Sequence, residues 1–186
     1  SILLNTLFIA ADDAAALSLS DIDAKLRVHV HAYHNPEASS YGTYNYFRLT
    51  LERLYIQNTL IQAGVNVFLI EADAVWFSPI SNYAQIILKN NFIVSADDRG
   101  NGKPLISAGF LYFNSKNKNF FKGYVAKYRS NLAKFEHSVG RFDEIDPGEQ
   151  HLMTILLKKR KYSVHWLDEC HFARGEWYQD DFFRAH

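Results

Sequence analysis

The sequence predicts an α/β fold, in which helices and strands alternate along the chain. The clearest evidence is a long amphipathic helix over residues 44–63, followed through Gly64 by a strand over residues 65–70. The strand residues are nearly all apolar, which is typical of a strand buried on both faces. An αβ connection this short makes the helix and the strand neighbours in space, as in a doubly wound sheet.

The other elements follow from apolar periodicity and capping signals. Residues 7–10 predict a first strand, and Asp13 is predicted to be the N-cap of a short helix over residues 13–19. Further strands are predicted at residues 25–32, 92–96, 105–114 and 162–167, and further helices at residues 83–89, 118–135 and 146–157.

Two of these elements carry features of their own. Gly109 interrupts the strand over residues 105–114, which indicates the close approach of backbone or of a ligand. In the helix that follows Asp146, that residue is predicted as the N-cap, Pro147 as the first helical residue and Glu149 as N3. Glu149 then has a structural interpretation, as part of a capping box.

The composition indicates one globular domain. The chain has 186 residues, of which 48% are hydrophobic and 22% are charged, and this is enough to bury a substantial core. The formal net charge of zero argues against nucleic acid or an anionic membrane as the main partner. No apolar run approaches the length of a bilayer span. The single cysteine, Cys170, excludes an intrachain disulfide and favours a reducing compartment or no particular one.

An acidic pair follows the strand over residues 65–70. Side chains alternate along an extended chain, so Glu71 and Asp73 are predicted on one side and Ala72 on the other. In open α/β sheets, ligands bind at the carboxyl ends of strands. Two carboxylates beside phosphate oxygens also suit a hard divalent cation. The alternative is that both acids face water at the strand end.

Other polar residues occupy comparable positions. Asp97 and Asp98 follow the strand over residues 92–96 and precede a Gly-rich loop, which suits ligand contact as well as a solvated turn. Arg48 lies near the start of the long helix, where backbone donors favour anions. The alternative for Arg48 is a surface arginine.

Five stretches, in order, resemble the GT-A type of nucleotide-diphospho-sugar transferase. The closest groups are the family of rhamnogalacturonan xylosyltransferases and the related glycogenin-like family. The matching stretches are the Tyr-x-Arg-Leu helix at residues 44–49, the Asp-x-Asp-x-x-Trp segment at 66–79, the Asn-Ala-Gly-Phe segment at 107–110, the Asp-Gln helix start at 148–150 and the His-Phe-x-Gly element at 171–175.

The resemblance implies a Rossmann-like GT-A fold, with a mixed, mostly parallel central sheet flanked by helices. We expect residues 1–186 to form one such domain, whose first nucleotide-binding strand would precede Ser1. We also expect a soluble domain, cytoplasmic in preference to a Golgi-lumenal domain trimmed of its anchor.

The resemblance also implies roles for individual residues. Asp73 would bind Mn²⁺ or Mg²⁺, Glu71 would contact the same ion or the ribose, and His171 would be the third ligand. The positions expected to contact the donor are Tyr44, Arg48, Glu71, Ala72, Asp73, Asp97, Gly109 and Gln150. If the reaction inverts the anomeric centre, the candidates for the catalytic base are Asp98 and Glu149.

The sequence departs from the family pattern at several positions. Glu71 and Glu149 replace Asp, and Ser107 replaces Asn. Gly175 is followed by Glu-Trp-Tyr in place of Lys-Pro-Trp, which leaves a strand-end histidine as the alternative for His171.

These observations predict a metal-dependent glycosyltransferase, either hexosyl or pentosyl, that moves a sugar from a nucleotide sugar to an acceptor hydroxyl. A UDP-sugar is the favoured donor, and a carbohydrate or a glycoprotein is the expected acceptor. The alternative is a catalytically inert domain of the same fold that binds nucleotide sugar or carbohydrate. Another metal-dependent phosphotransferase or hydrolase is disfavoured, because the sequence has neither a phosphate-binding P-loop nor a nucleophile elbow.

Overall fold

The α/β class with a mixed sheet is confirmed by the structure, a computed structural model. The residues that it describes are 6–10, 12–31, 40, 42–70, 84–97, 105–137, 148–159, 162 and 164–167. The described elements are β1 (Leu7–Ala10), α1 (Asp13–Ile22), β2 (Arg27–Val30), α2 (Tyr44–Gln62), β3 (Val67–Ile70), α3 (Ala84–Lys89), β4 (Phe92–Asp97), β5 (Leu105–Phe113), α4 (Lys118–His137), α5 (Glu149–Lys159) and β6 (Val164–Trp166).

The chain divides into two compact units, Ser1–Leu49 and Thr50–His186. In the first unit, β1 and β2 pair in parallel, with Leu7 opposite Arg27, and α1 connects them. The predicted N-cap of α1 is wrong by one residue. Asp12 has an extended backbone, and its carboxylate accepts a hydrogen bond of 2.7 Å from the N–H of Ala15. Asp13 is already helical, so it cannot present its side chain to the helix end in this way.

The second unit contains a four-stranded sheet in the order β3-β5-β4-β6. Strand β5 is antiparallel to both β3 and β4, whereas β4 is parallel to β6. Three of the four strands therefore point the same way, and only β5 runs against them. As a result, the carboxyl ends of β3, β4 and β6 lie at one edge of this sheet.

The pairing of β4 with β5 contains a register shift. Ala96 lies opposite Ile106, yet Val94 lies opposite Leu111. Four residues of β5, numbers 107–110, therefore stand against the single residue Ser95. An insertion of this kind is a β-bulge or a related irregularity, which bends the strand and redirects its side chains.

Helices cover both faces of the sheet. On one face, Ile86 and Ile87 of α3 pack with a cluster that includes Tyr112 and Leu167. On the other face, Phe113 contacts Phe121 of α4 edge-on, with ring centroids 4.9 Å apart. Four aromatic residues of α4 are among the largest fully buried side chains, namely Phe120, Phe121, Tyr124 and Tyr128. The aromatic richness of the sequence thus contributes to core packing.

Helix α2 ends as predicted at Gly64. This residue has a φ of +86°, its N–H donates to the carbonyl of Ile61, and the N–H of Val65 donates to the carbonyl of Leu60. These two bonds form a Schellman motif, which requires a left-handed residue in the position that Gly64 occupies. The chain then turns directly into β3.

Helix α5 begins later than the sequence predicts. The carbonyl of Gly148 accepts the first helical hydrogen bond, from the N–H of Leu152, so Gly148 is the N-cap and Glu149 is N1. The predicted N3 position for Glu149 is therefore wrong. The capping box cannot form in this register, and the buried Glu149 carboxylate bonds elsewhere. Asp146 and Pro147 lie outside the described residues.

Within the part of the chain that the structure describes, no helix combines the length and the apolar character needed to cross a bilayer.

Candidate functional site

The candidate site is the edge of the four-stranded sheet at which β3, β4 and β6 end. Their last residues are Ile70, Asp97 and Trp166. Val94 lies opposite Trp166 on one side and Leu111 on the other, and Asp97 lies opposite Leu105, where β5 begins. Ligands of open α/β sheets bind in the crevice outside such carboxyl ends.

Several predicted site residues follow these strand ends in the chain but lie outside the described residues. They are Glu71, Ala72, Asp73, Asp98 and His171. Among the residues that the structure does describe, no group of three His, Cys, Asp or Glu side chains could hold a metal ion. The predicted metal ligands and the base Asp98 therefore stay predictions.

Gly109 lies within the segment at which β5 leaves its register with β4. Its N–H donates to the hydroxyl of Ser107 at 3.3 Å, and the neighbouring Ala108 is buried. Ser107 occupies the position at which the family pattern has Asn. This contact lies in the segment where β5 shifts its register with β4, and the shift agrees with the interruption that the sequence indicates at Gly109.

Glu149 is buried, with an exposed fraction of 8%, and one oxygen of its carboxylate accepts a hydrogen bond from Nη2 of Arg53 on α2. The two residues are 96 positions apart in the sequence. The carbonyl oxygen of Glu149 accepts a second bond, of 3.1 Å, from the hydroxyl of Tyr124. Side chain and backbone of this residue are therefore held by two different helices.

Tyr124 itself is fully buried. Burial raises the pKa of its hydroxyl, the neighbouring Tyr128 adds to the rise, and Arg53 opposes it. At neutral pH the hydroxyl is protonated, which is the form that can donate to the Glu149 carbonyl.

Gln150 is linked through Thr154 to the start of β5. The Thr154 hydroxyl donates to the carbonyl of Gln150 at 2.8 Å and accepts from the N–H of Ile106 at 3.0 Å. Ile106 directly precedes the irregular segment that contains Gly109. The structure thus brings the predicted residues Asp97, Gly109, Glu149 and Gln150 into one region of the second unit.

Tyr44 and Arg48 belong to the first unit, where they lie in the first two turns of α2 and are half-buried. A separation of four residues places them on the same face of the helix. Their roles as donor contacts stay predictions.

Sequence reasoning did not identify Arg53 or Tyr124. The one local signal is that Arg53 and Gln57, four residues apart, are polar residues beside the buried stripe that contains Leu54 and Ile61. A polar pair in such a position needs partners from another element. Which partners they are cannot be read from spacing along the chain.

The chain is similar to one family of known proteins and to solved structures. The model of the nucleotide-diphospho-sugar transferase family matches residues 1–184. The crystal structure of the glycosyltransferase GlyE from Streptococcus pneumoniae TIGR4 is similar at a TM-score of 0.50 and 15% identity, over 97% of this chain and 49% of that chain. This chain therefore spans about half the length of that protein. No curated protein matches the sequence.

At 15% identity, the likeness to GlyE shows the fold, in agreement with the mixed sheet and its flanking helices. The family model covers nearly the whole sequence, including every stretch on which the resemblance depends. The chain belongs to the nucleotide-diphospho-sugar transferase family.

Proposed function

We propose that this chain is a glycosyltransferase domain that moves a sugar from a nucleoside-diphosphate sugar, with a UDP-sugar favoured, to a hydroxyl of a carbohydrate or glycoprotein. The observation that carries the proposal is the shared edge at which β3, β4 and β6 end. In the sequence, Glu71 and Asp73 follow β3, Asp98 follows β4, and His171 follows β6.

A divalent cation, Mn²⁺ or Mg²⁺, is part of this proposal. Asp73, Glu71 and His171 would hold it, since carboxylate oxygens and an imidazole are ligands that manganese accepts. When bound, such an ion acts as a Lewis acid that stabilises charge on the departing diphosphate.

The protein's own contribution is to bind and orient the donor. We assign the diphosphate or nucleotide to Tyr44 and Arg48, because a guanidinium forms bidentate hydrogen bonds with phosphate oxygens. Gly109 would line the sugar pocket, where a residue without a side chain lets the backbone approach the ligand. Ala72, Asp97 and Gln150 complete the proposed donor contacts.

In the transfer step, the acceptor oxygen bonds to the anomeric carbon while the bond from that carbon to the diphosphate oxygen breaks. The electron pair of the broken bond leaves with the nucleoside diphosphate. In an inverting reaction the acceptor proton passes to a carboxylate, either Asp98 or Glu149. In a retaining reaction the leaving phosphate can take it. The contact of Glu149 with Arg53 favours Asp98 for the inverting case.

The alternative function is an inert domain that binds nucleotide sugar or carbohydrate. The departures from the family pattern at Glu71, Ser107 and Glu149 favour it. The buried ion pair between Glu149 and Arg53 favours it as well. Fold alone does not separate the two, because one fold supports both activities.

Release of nucleoside diphosphate from a panel of UDP-, GDP- and ADP-sugars, measured with Mn²⁺ and with EDTA, tests the proposal. We expect one donor to be hydrolysed slowly with Mn²⁺ and not with EDTA. A donor that binds without any hydrolysis or transfer, across a range of acceptor sugars, would support the inert domain and contradict the enzyme.

A further inference from the structure

We infer that Arg53 and Glu149 form a positioning pair, which fixes the first turn of α5 beside the proposed donor site. In this assignment Glu149 is not the proton acceptor of the reaction. Arg53, which no motif of the sequence marks, becomes a residue on which donor binding depends. The inference rests on the proposed function and extends it to the support of the site.

The two charged side chains depend on each other. Glu149 is buried, and the side chain of Arg53 is only 28% exposed, so both charges are largely removed from water. The desolvation of an ion is costly and is offset only when a partner with good geometry is present. The Arg53 guanidinium supplies that partner to Glu149. Neither side chain can turn away from the other at low cost.

The backbone of Glu149 is held as well. The fully buried Tyr124 of α4 donates its hydroxyl to the carbonyl of Glu149. Helices α2 and α4 therefore hold the same residue of α5, one through the side chain and one through the main chain. Because both its carboxylate and its backbone carbonyl are held, Glu149 fixes where α5 begins and in which direction it runs.

Hydrogen bonds of Thr154 connect the first turn of α5 to the proposed donor site. Thr154 lies five residues along α5, about 7.5 Å further on at the usual helical rise. Its hydroxyl links the carbonyl of Gln150 to the N–H of Ile106, at the entry to the irregular segment of β5. A shift of Glu149 would therefore move Gln150, and would strain the contact that holds β5 just before Gly109.

The chemistry favours positioning over proton transfer. A carboxylate that accepts the acceptor's proton must reach that hydroxyl, and protonation would remove the charge that pairs with Arg53. Since two buried charges of this kind add little net stability, the pair is better explained by the geometry that it imposes.

Kinetics of the Glu149→Gln variant, followed by nucleotide release from the accepted donor with Mn²⁺, separate the two roles. The amide oxygen can still accept from Arg53, so we expect kcat to fall by less than about tenfold, the donor KM to rise severalfold, and the acidic limb of the kcat/KM profile against pH to persist. A base at Glu149 predicts a fall in kcat of about 10²- to 10⁴-fold and loss of that limb. That result would overturn the inference.

Arg53→Met tests the other partner, and Arg129→Met on the exposed face of α4 is the matched control. We expect the donor KM to rise by about tenfold or more in Arg53→Met and to be unchanged in Arg129→Met. In Arg53→Met alone, the Glu149 carboxylate is buried without a cation. The double variant, Arg53→Met with Glu149→Gln, has no carboxylate at this position. It should melt closer to the wild type while its donor KM stays raised.

A purely structural pair would move the melting temperature in these variants and leave the donor KM of every folded variant unchanged, which would contradict the inference. Failure of the proposed function is a separate result. If the wild-type protein neither binds nor turns over any donor of the panel, the proposed function itself is contradicted. If the wild-type protein turns over a donor and Glu149→Gln shows the fall in kcat expected of a catalytic base, only the positioning role is contradicted.

Discussion

At the residue scale, the structure changes the meaning of Glu149 more than that of any other predicted residue. The sequence predicts it as N3 of a capping box, whereas the structure places it at N1 with its carboxylate on Arg53. The local pattern did identify the helix and its approximate start. The partner was not predictable, because a contact between residues 96 positions apart depends on how α2 and α5 pack.

Gln57 is a second polar residue on the buried side of α2, with an exposed fraction of 4%. Among the described protein groups, none hydrogen-bonds to its amide. We expect Gln57→Leu to stabilise the protein by about 1–2 kcal/mol, because an apolar side chain of similar size removes the cost of burying that amide. Urea denaturation monitored by circular dichroism measures the change.

The matched control for this prediction is Gln62→Leu, on the exposed end of the same helix. The Gln62 amide donates to Asn58 and to the carbonyl of Lys118, so its removal should be neutral or destabilising. A Gln57→Leu variant less stable than the wild type would show that the amide makes a favourable bond.

Tyr124 gives a prediction for alkaline pH. Burial raises its pKa above the ordinary value of 10, so the folded state keeps the proton where the unfolded state has lost it. The stabilisation is complete below pH 10 and declines as pH rises toward the folded pKa. The difference in unfolding free energy between wild type and Tyr124→Phe should therefore fall by about 1.4 kcal/mol per pH unit above pH 10.

Denaturant titrations at intervals from pH 8 to 11.5 measure this difference. Below pH 9 it should be constant, which provides the internal control. A difference that stays flat up to pH 11.5 would show that Tyr124 ionises in the folded protein as readily as in the unfolded chain.

At the element scale, the sequence predicts the helices and strands well, because apolar periodicity and turn residues reflect local physics. All of the described strands fall within or close to their predicted ranges, and α2 ends at Gly64 as expected. The register shift between β4 and β5 could not be predicted in the same way. Its position depends on pairing with a second strand, and only the glycine in residues 107–110 indicates an irregularity.

The end of α2 provides a prediction at this scale. We expect Gly64→Ala to destabilise the protein by about 1 kcal/mol, because a side chain disfavours the left-handed backbone that Gly64 adopts. An added Cβ would meet no atom within 4 Å, so the backbone conformation alone should set the cost.

Gly64→Asn is the matched comparison, since asparagine tolerates the left-handed region better than alanine does. It should lose less stability than Gly64→Ala in the same denaturant titration. Equal losses in the two variants would indicate that the left-handed conformation is not what limits this position.

At the scale of the whole molecule, the family and the class of fold could be predicted from the sequence. The five matching stretches are spread over residues 44–175, and each strand-end acid could be placed at a sheet edge from its position alone. The structure adds that β3, β4 and β6 point the same way, so their carboxyl ends, which those acids follow in the sequence, lie at one edge of the sheet. The contacts of α2 and α4 with Glu149 are a property of the packed unit, which no single stretch encodes.

In the proposed function, the residues after these strand ends bind a nucleotide through a divalent ion. Asp73→Asn should weaken Mn²⁺-dependent binding of the nucleoside diphosphate by at least about tenfold while leaving the melting temperature unchanged, because an amide is a much poorer ligand for a hard cation. Glu136→Gln, on the exposed side of α4, is the matched control and should bind as the wild type does.

Calorimetric titration of the wild-type protein with UDP, GDP and ADP, first with Mn²⁺ and then with EDTA, measures this metal-dependent binding. We expect one nucleotide to bind with Mn²⁺ and chelation to abolish the heat of binding. Binding that is equally strong in EDTA, or that Asp73→Asn leaves unchanged, would contradict it.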